Sequence, residues 1–367
     1  MNRLHYIDSL RGFSLFGILL VNMLGFQYGI DNQQQLSFTG TLDSTVYFLI
    51  QLLFQGSFYP VFAILFGIGG ALMYERAQMG DASFFKTYTR RLLILLGIGL
   101  FHWVILWHGD ILIDYALTGL ILMLLIHLNP SKLLLWIAGC FSFVAVLGLS
   151  LIGVGSGWMN QGTERAILLN GDYLELVVFR INELSIDPLI IIQILGLFLV
   201  GAVLVKSGWI QDVASCRRQW LMIALFGLIV GLAAKLPGIL SDDGAITYYS
   251  YMFGGPIFGI GIIAFFILLY HRFNGGGIFL WLTYPGRTAL TNYLTQSVIM
   301  GFIFYGYGLG QFEQMGMVGG STLVVLLFAA QVMISKLWLS VFTMGPVEWL
   351  WRMGTYLKHR NIKIARR

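Results

Sequence analysis

The densest set of groups able to do chemistry lies in the run His102-Trp103-Val104-Ile105-Leu106-Trp107-His108-Gly109-Asp110-Ile111-Leu112-Ile113-Asp114-Tyr115. Asp110 and Asp114 are four residues apart, so on a helix their carboxyls share a face one turn from each other. Two carboxyls so placed raise each other's proton affinity. With His108 just before them, the set His108, Asp110 and Asp114 is suited to carrying a proton to or from a reacting group. A helix cap at Asp110, a packing carboxylate and an interfacial aromatic belt account for the same letters, and the residues alone leave both readings open.

Two further stretches carry polar groups inside apolar runs. Near the start, Asp8-Ser9-Leu10-Arg11-Gly12-Phe13 places an acid and a base at i,i+3, where they can pair, and the following apolar run contains one amide, Asn22. Arg11 falls near one membrane interface and Asn22 approaches the other. Later, Pro285-Gly286 is expected to break the chain before Arg287, after which Thr288, Thr291, Asn292 and Thr295 form one polar helical stripe, extended by Gln296 and Ser297. Such a stripe is costly against lipid, so it faces protein or an aqueous cavity. Arg287 is a candidate anion contact. Interfacial anchoring and ordinary interhelical hydrogen bonds remain the alternative for all of these residues.

The elements that hold these groups are membrane helices. The chain is 57% hydrophobic and only 11% charged, far from the roughly one quarter charged of a soluble domain. An all-α polytopic fold of about ten spans is expected, at Asp8–Tyr28, Ser44–Tyr74, Arg90–Trp107, Asp110–Leu128, Lys132–Val154, Ser185–Val205, Arg218–Leu236, Ser250–Tyr270, Gly286–Tyr305 and Val318–Leu339. The second is long and carries Gly56, Ser57 and Pro60, which predict a kink before Val61. Between the fifth and sixth, Tyr173 to Arg180 reads as an amphipathic helix on the interface. The basic connection Lys206 to Arg218 divides the chain into an N-terminal bundle, 1–205, and a C-terminal region, 206–367. Pro346 to Arg352 reads as an amphipathic interfacial segment in which Glu348 and Arg352 can pair.

Charge sets the expected orientation. One set of helix ends collects Arg3, Arg76, Lys86, Arg90, Arg91, Lys132, Lys206, Arg217, Arg218, Arg272 and Arg287, together with the basic tail. The opposite connections are acidic, with only Arg165, Arg180 and Lys235 as bases. Both termini are therefore expected in the cytoplasm, in a bacterial inner membrane with lipid as the surrounding partner.

Several classes are set aside by the same reading. The net charge of +5 is spread over helix ends and builds no nucleic-acid module. Cys140 and Cys216 suggest neither a disulfide nor a redox pair, and His102 and His108, six apart, do not constitute a metal site, so no metal is assigned. Neither a phosphate loop nor a dinucleotide fingerprint is present. A homo-oligomer is compatible with the sequence.

In order and spacing, the Asp8–Phe13 stretch with Asn22, the His108–Tyr115 region, Gly286-Arg287-Thr288-Ala289-Leu290-Thr291-Asn292-Tyr293 and Pro346-Val347-Glu348-Trp349-Leu350-Trp351-Arg352 resemble the landmarks of the YeiB family of bacterial membrane proteins, with its C-terminal domain of unknown function 418. The first stretch also resembles the opening of the heparan-alpha-glucosaminide N-acetyltransferase group of transmembrane acyltransferases. That resemblance implies transfer of an acyl group from cytosolic acyl-CoA to an acceptor across the membrane, through a histidine near the outer surface. The connection Gly29 to Asp43 contains no histidine, so that residue cannot be carried over. His108 or His102, at a neighbouring outer helix end, are the substitutes this sequence offers.

The mechanism so implied has Arg11 and Arg287 attract the phosphates of acyl-CoA, with Asn22, Thr291, Asn292 and Gln296 lining the passage. His108, assisted by Asp110 or Asp114, removes the proton of an acceptor hydroxyl or amine. A proton-coupled transporter of a small metabolite, or a non-enzymatic scaffold or lipid-binding protein, would use the same groups as gates or for packing.

Overall fold

Hydrophobic runs separated by basic or acidic connections give helices throughout. The computed structural model describes residues 4–30, 36, 38, 40–80, 83–151, 161–241, 243–357 and 361–364. In chain order the helices are α1 (His5–Tyr28), α2 (Thr41–Leu53), α3 (Phe58–Gln78) and α4 (Phe84–Phe101), which continues into a π-helical turn (His102–Leu106). Next come α5 (Leu112–Leu125), α6 (Pro130–Leu151), α7 (Gln161–Asn170), α8 (Tyr173–Asn182), α9 (Pro188–Lys206), α10 (Arg217–Leu240) and α11 (Gly244–Tyr249). A second π-helical turn (Ser250–Gly254) joins α11 to α12 (Gly255–Arg272), followed by α13 (Ile278–Arg287), α14 (Ala289–Phe304), α15 (Met317–Val341) and α16 (Pro346–Tyr356). The expected span end at 152–154 and the charged residues Arg3, Asp31, Asp242, Lys358, Arg360, Arg366 and Arg367 lie outside the described residues.

Eight stretches are long and apolar enough to cross a membrane: His5–Tyr28, Thr41–Gln78, Phe84–Leu106, Pro130–Gly148, Pro188–Lys206, Arg217–Leu240, Gly244–Arg272 and Met317–Val341. The protein is an all-α polytopic membrane protein. The other two expected spans are the shorter apolar helices α5, of 14 residues, and α14, of 16. At 1.5 Å per residue these reach about 21 and 24 Å, less than the ~30 Å hydrocarbon core.

Breaks in the helices follow local chemistry. The second stretch is interrupted between Leu53 and Phe58, as Gly56, Ser57 and Pro60 predict, with Gly56 at φ 70°, a left-handed conformation that suits glycine. The expected break at Pro285-Gly286 falls instead at Thr288: α13 runs through Pro285 to Arg287, and α14 starts afresh with Asn292 N donating to Thr288 O at 2.9 Å. Pro285 has no N–H for the carbonyl of Trp281 one turn back, which weakens the end of α13 and agrees with its stopping two residues later.

α1 is the centre of the packing. Leu10, Leu15, Leu19, Met23 and Leu24 are buried, and the helix touches α3, α12, α13, α14 and α15. Its closest approach is to α13, where a Cβ on Gly12 would collide with Leu282 O and one on Gly286 with Asp8 O. That crossing sets Arg11 and Arg287, each next to one of these glycines, on helices in direct contact. By contrast α4, α6, α10 and α15 present Leu93, Leu135, Phe226 and Ile334 outward, an apolar face suited to lipid.

Candidate functional site

The end of α4 positions a histidine. Its last turn widens to a π-helical one, closed by Trp107 N on His102 O at 2.8 Å. His102 is fully buried there. Its Nδ1 lies 2.8 Å from Asp110 Oδ1 and its Nε2 lies 2.7 Å from Ser297 Oγ, with the Tyr293 ring against its face at 4.8 Å. Asp110 also caps α5, its Oδ2 accepting from Ile113 N at 2.9 Å. Asp110 thus caps α5 with one oxygen and sets the other beside the imidazole.

Three elements meet at this point: the end of α4, the start of α5 and the middle of α14. The Nδ1–Asp110 approach is short without being aligned as a hydrogen bond; a carboxyl beside Nδ1 still favours the tautomer protonated at that nitrogen, which leaves Nε2 facing a hydroxyl. The arrangement has the logic of a Ser–His–Asp relay, in which the carboxyl fixes the ring and steadies its charge when a proton arrives. His102 and Ser297 are 195 residues apart in the chain.

The other sequence candidates lie as follows. His108 pairs with Glu164, Nε2 to Oε1 at 3.1 Å, both side chains buried, and Glu164 also accepts from Ile30 N at 3.1 Å. Asp114 is half-buried in the first turn of α5. Arg11 pairs with Asp8 at 3.1 Å, as their i,i+3 spacing predicts, and is about one third exposed. Arg287 Nη2 donates to Thr343 O at 2.9 Å. Asn22 is half-buried on α1.

Most of the polar stripe of α14 faces protein; Thr295 is exposed, with its hydroxyl donating to Thr291 O at 2.8 Å. Asn292 Nδ2 donates to Ser335 Oγ at 3.0 Å and Gln296 Nε2 to Gln331 Oε1 at 2.8 Å, both across to α15. Thr291 faces α16, where Glu348 accepts from Leu290 N at 2.7 Å, from Thr291 N at 3.1 Å and from the Thr291 hydroxyl. Glu348 thereby caps α14 from another helix, at the end where a carboxylate is favoured. Burial nevertheless raises its pKa above the ordinary carboxyl value, the bonds from Thr291 and Leu290 only partly offsetting it. Together these contacts fix the rotation of α14 and hence the direction of Ser297.

Lys235, on α10, is buried too. Its Nζ donates to Gln55 O and to Ser57 Oγ, both at 2.8 Å, inside the interruption between α2 and α3. The second π-helical turn packs against the same part of α10, so two interrupted stretches face one lysine.

A family described as protein of unknown function (DUF418) matches residues 204–358. The uncharacterized protein YxaH of Bacillus subtilis is 30% identical over 98% of this chain and 96% of its own. The uncharacterized protein YeiB of Escherichia coli is 29% identical over 97% of each. The chain belongs to the DUF418/YeiB family. An uncharacterized 39.9 kDa protein of Bacillus acidopullulyticus, 25% identical over 96% of this chain and 94% of its own, is a further relative. The DUF418 match takes in α10 to α16, and so Lys235, Arg287, Ser297 and Glu348, whereas His102 and Asp110 fall in the part aligned with the full-length YeiB-type relatives. This is a multi-pass membrane protein of a bacterial family.

Proposed function

We propose that the protein is an inner-membrane acyltransferase that moves an acyl group from cytosolic acyl-CoA to a hydroxyl or amine acceptor near the outer face, with His102 as the base. The observation that carries this reading is the buried imidazole held between Asp110 and Ser297, at 2.8 and 2.7 Å. His102 Nε2 takes the acceptor's proton as its oxygen or nitrogen attacks the thioester carbonyl. Asp110 steadies the imidazolium so formed, and the proton passes to the leaving thiolate. The Ser297 hydroxyl lies where an acceptor hydroxyl would donate. With α5 and α14 counted as short crossings beside the eight long ones, the charge rule favours a cytoplasmic position for both termini.

The donor end is supported by helix geometry. Arg91, which lies within reach of the Arg11 charge, and His102 are eleven residues apart on one continuous stretch, about 16 Å along the axis, a span suited to an extended pantetheine arm. Arg11 and Arg287, on touching helices, supply the phosphate contacts. The test is saturable binding of acetyl-CoA and a longer acyl-CoA to protein in lipid nanodiscs. Arg11→Ala and Arg287→Ala, checked for folding, are expected to weaken it; no binding by folded wild type removes the donor site.

A second reading, proton-coupled transport of a small metabolite, is favoured by Lys235, a buried amino group at the point where two stretches are interrupted. Solute flux into liposomes, without acyl turnover and lost in Lys235→Met, would select it.

A further inference from the structure

The acidic helix ends carry a second buried base, Arg180 on α8, which is fully buried. Part of its role is structural. Its Nη1 donates to Ile105 O at 2.8 Å, Tyr173 Oη donates to the same carbonyl at 2.7 Å, and Trp103 Nε1 donates to Arg180 O at 2.7 Å, fastening α8 to the π-helical turn that follows α4. Those contacts answer carbonyls left open at a helix end. They leave half of the guanidinium unexplained.

Arg180 Nε and Nη2 are buried without a hydrogen-bond partner among the described residues, and so are Trp107 Nε1, Tyr305 Oη and His108 Nδ1. These groups are neighbours. Phe26 stacks on Trp107 at 4.3 Å and lies 5.8 Å from Tyr305, while the Tyr305 phenol faces the Trp107 indole and feels the charges of Arg180 and Glu164. Tyr307 stands beside the guanidinium. Neither the Trp107–Tyr305 nor the Arg180–Tyr307 approach completes a hydrogen bond for the Trp107 or Arg180 nitrogens. Buried polar atoms are paired in more than about 90% of cases, so several unpaired ones in one region point to a ligand. The set is rich in donors: a guanidinium edge, an indole N–H and a phenol.

We propose that Arg180, Trp107 and Tyr305 form a binding site for a small oxyanion, a carboxylate or phosphate group of a ligand arriving from the acidic side of the protein. The free Nε–Nη2 edge is the fork that receives two oxygens in parallel, and the indole and phenol donate from the side. Glu164, the nearby carboxylate, has its Oε1 engaged by His108 and Ile30 N. A groove of about 700 Å³ between α7 and α8 runs beside this region, lined by Glu164 and by Phe179, which precedes Arg180 and lies 5.6 Å from the His108 ring; none of the three donors lines it. The site stands independently of acyl transfer. Within that reading it anchors an anionic group of the acceptor, one π-helical turn from His102.

The test is a thermal titration of the full chain in nanodiscs with sodium acetate and, separately, inorganic phosphate, at ionic strength held constant with chloride and with no acyl donor present. A ligand of the native state raises the melting temperature saturably. Wild type should saturate with at least one of the two anions; which one assigns carboxylate or phosphate. Arg180→Gln should weaken that response about tenfold or more, and Trp107→Phe and Tyr305→Phe several-fold each, in line with charge-assisted and neutral donors. If Arg180→Gln does not fold, the two aromatic variants carry the test, because an arginine that only fastens α8 predicts no change in either. A wild-type response no different from chloride, or variants that respond like wild type, overturns the proposal. Failure of an acyl-transfer assay leaves it standing.

Discussion

Removing one partner of the His102–Asp110 pair should expose how strongly the two depend on each other. Both side chains are fully buried, and their heavy atoms are 2.8 Å apart. Asp110→Ala loses the cap on Ile113 N, about 1 kcal/mol, and strands the imidazole, about 3–5 kcal/mol for breaking a buried pair. His102→Leu strands the carboxyl at a similar cost, about 3–5 kcal/mol. In the double variant neither member of the pair is left stranded, though Ile113 N still lacks its cap and Ser297 its imidazole, so its loss should fall short of the summed single losses by about 1.5–3 kcal/mol. Equilibrium unfolding of the four proteins in mixed micelles measures this cycle. Additivity to within about 0.5 kcal/mol, or an Asp110→Ala cost no larger than the ~1 kcal/mol cap, refutes the coupling.

Three further outcomes are expected. Gly286→Ala drives a methyl into the Asp8 carbonyl and should destabilise by about 1–3 kcal/mol, read as a lower unfolding midpoint; an unchanged midpoint means that α1 and α13 separate freely. Lys235→Met leaves Gln55 O and Ser57 Oγ without their donor and should cost about 1–3 kcal/mol in the same assay, whereas a stabilised variant would show the ammonium to be a burden on the fold. For Glu348, burial raises the folded pKa above the ordinary 4.5, so its contribution is fully present below that value and is lost as pH rises through the raised one. Wild type should therefore gain stability relative to Glu348→Gln as pH falls from 8 to 4; a difference that shrinks on acidification contradicts this sign.

The helices were legible because burying or exposing an apolar run to lipid needs only local composition, and the Asp8–Arg11 pair because i,i+3 is a local relation. The interruption near Gly56 was legible for the same reason. Partners across the chain were not. The turn His102 to Tyr115 announced chemistry, yet periodicity alone does not say that Asp110 meets His102, that Ser297 approaches from α14, or that His108 turns to Glu164. The α14 stripe was expected to face protein or a cavity, and Asn292 and Gln296 do face protein while Thr295 is exposed; the match to Ser335 and Gln331 depends on which helix lies beside it. One unused signal was present: Arg165, Arg180 and Lys235 are the bases at otherwise acidic helix ends. Arg165 makes a surface pair with Glu313, while Arg180 and Lys235 are buried at irregular turns. A base that defies the charge rule marks a place where burial was accepted for another reason.

The most direct test of the central claim is single-turnover transfer of a labelled acetyl group from acetyl-CoA in nanodiscs, with total membrane-extract acceptors supplied, comparing wild type with His102→Gln. The account predicts loss of labelled thioester and appearance of labelled acceptor in wild type, with the rate reduced about 100-fold or more in His102→Gln, as general-base removal requires. Equal rates in the two proteins, or no transfer by folded wild type that binds acetyl-CoA, would contradict a base at His102.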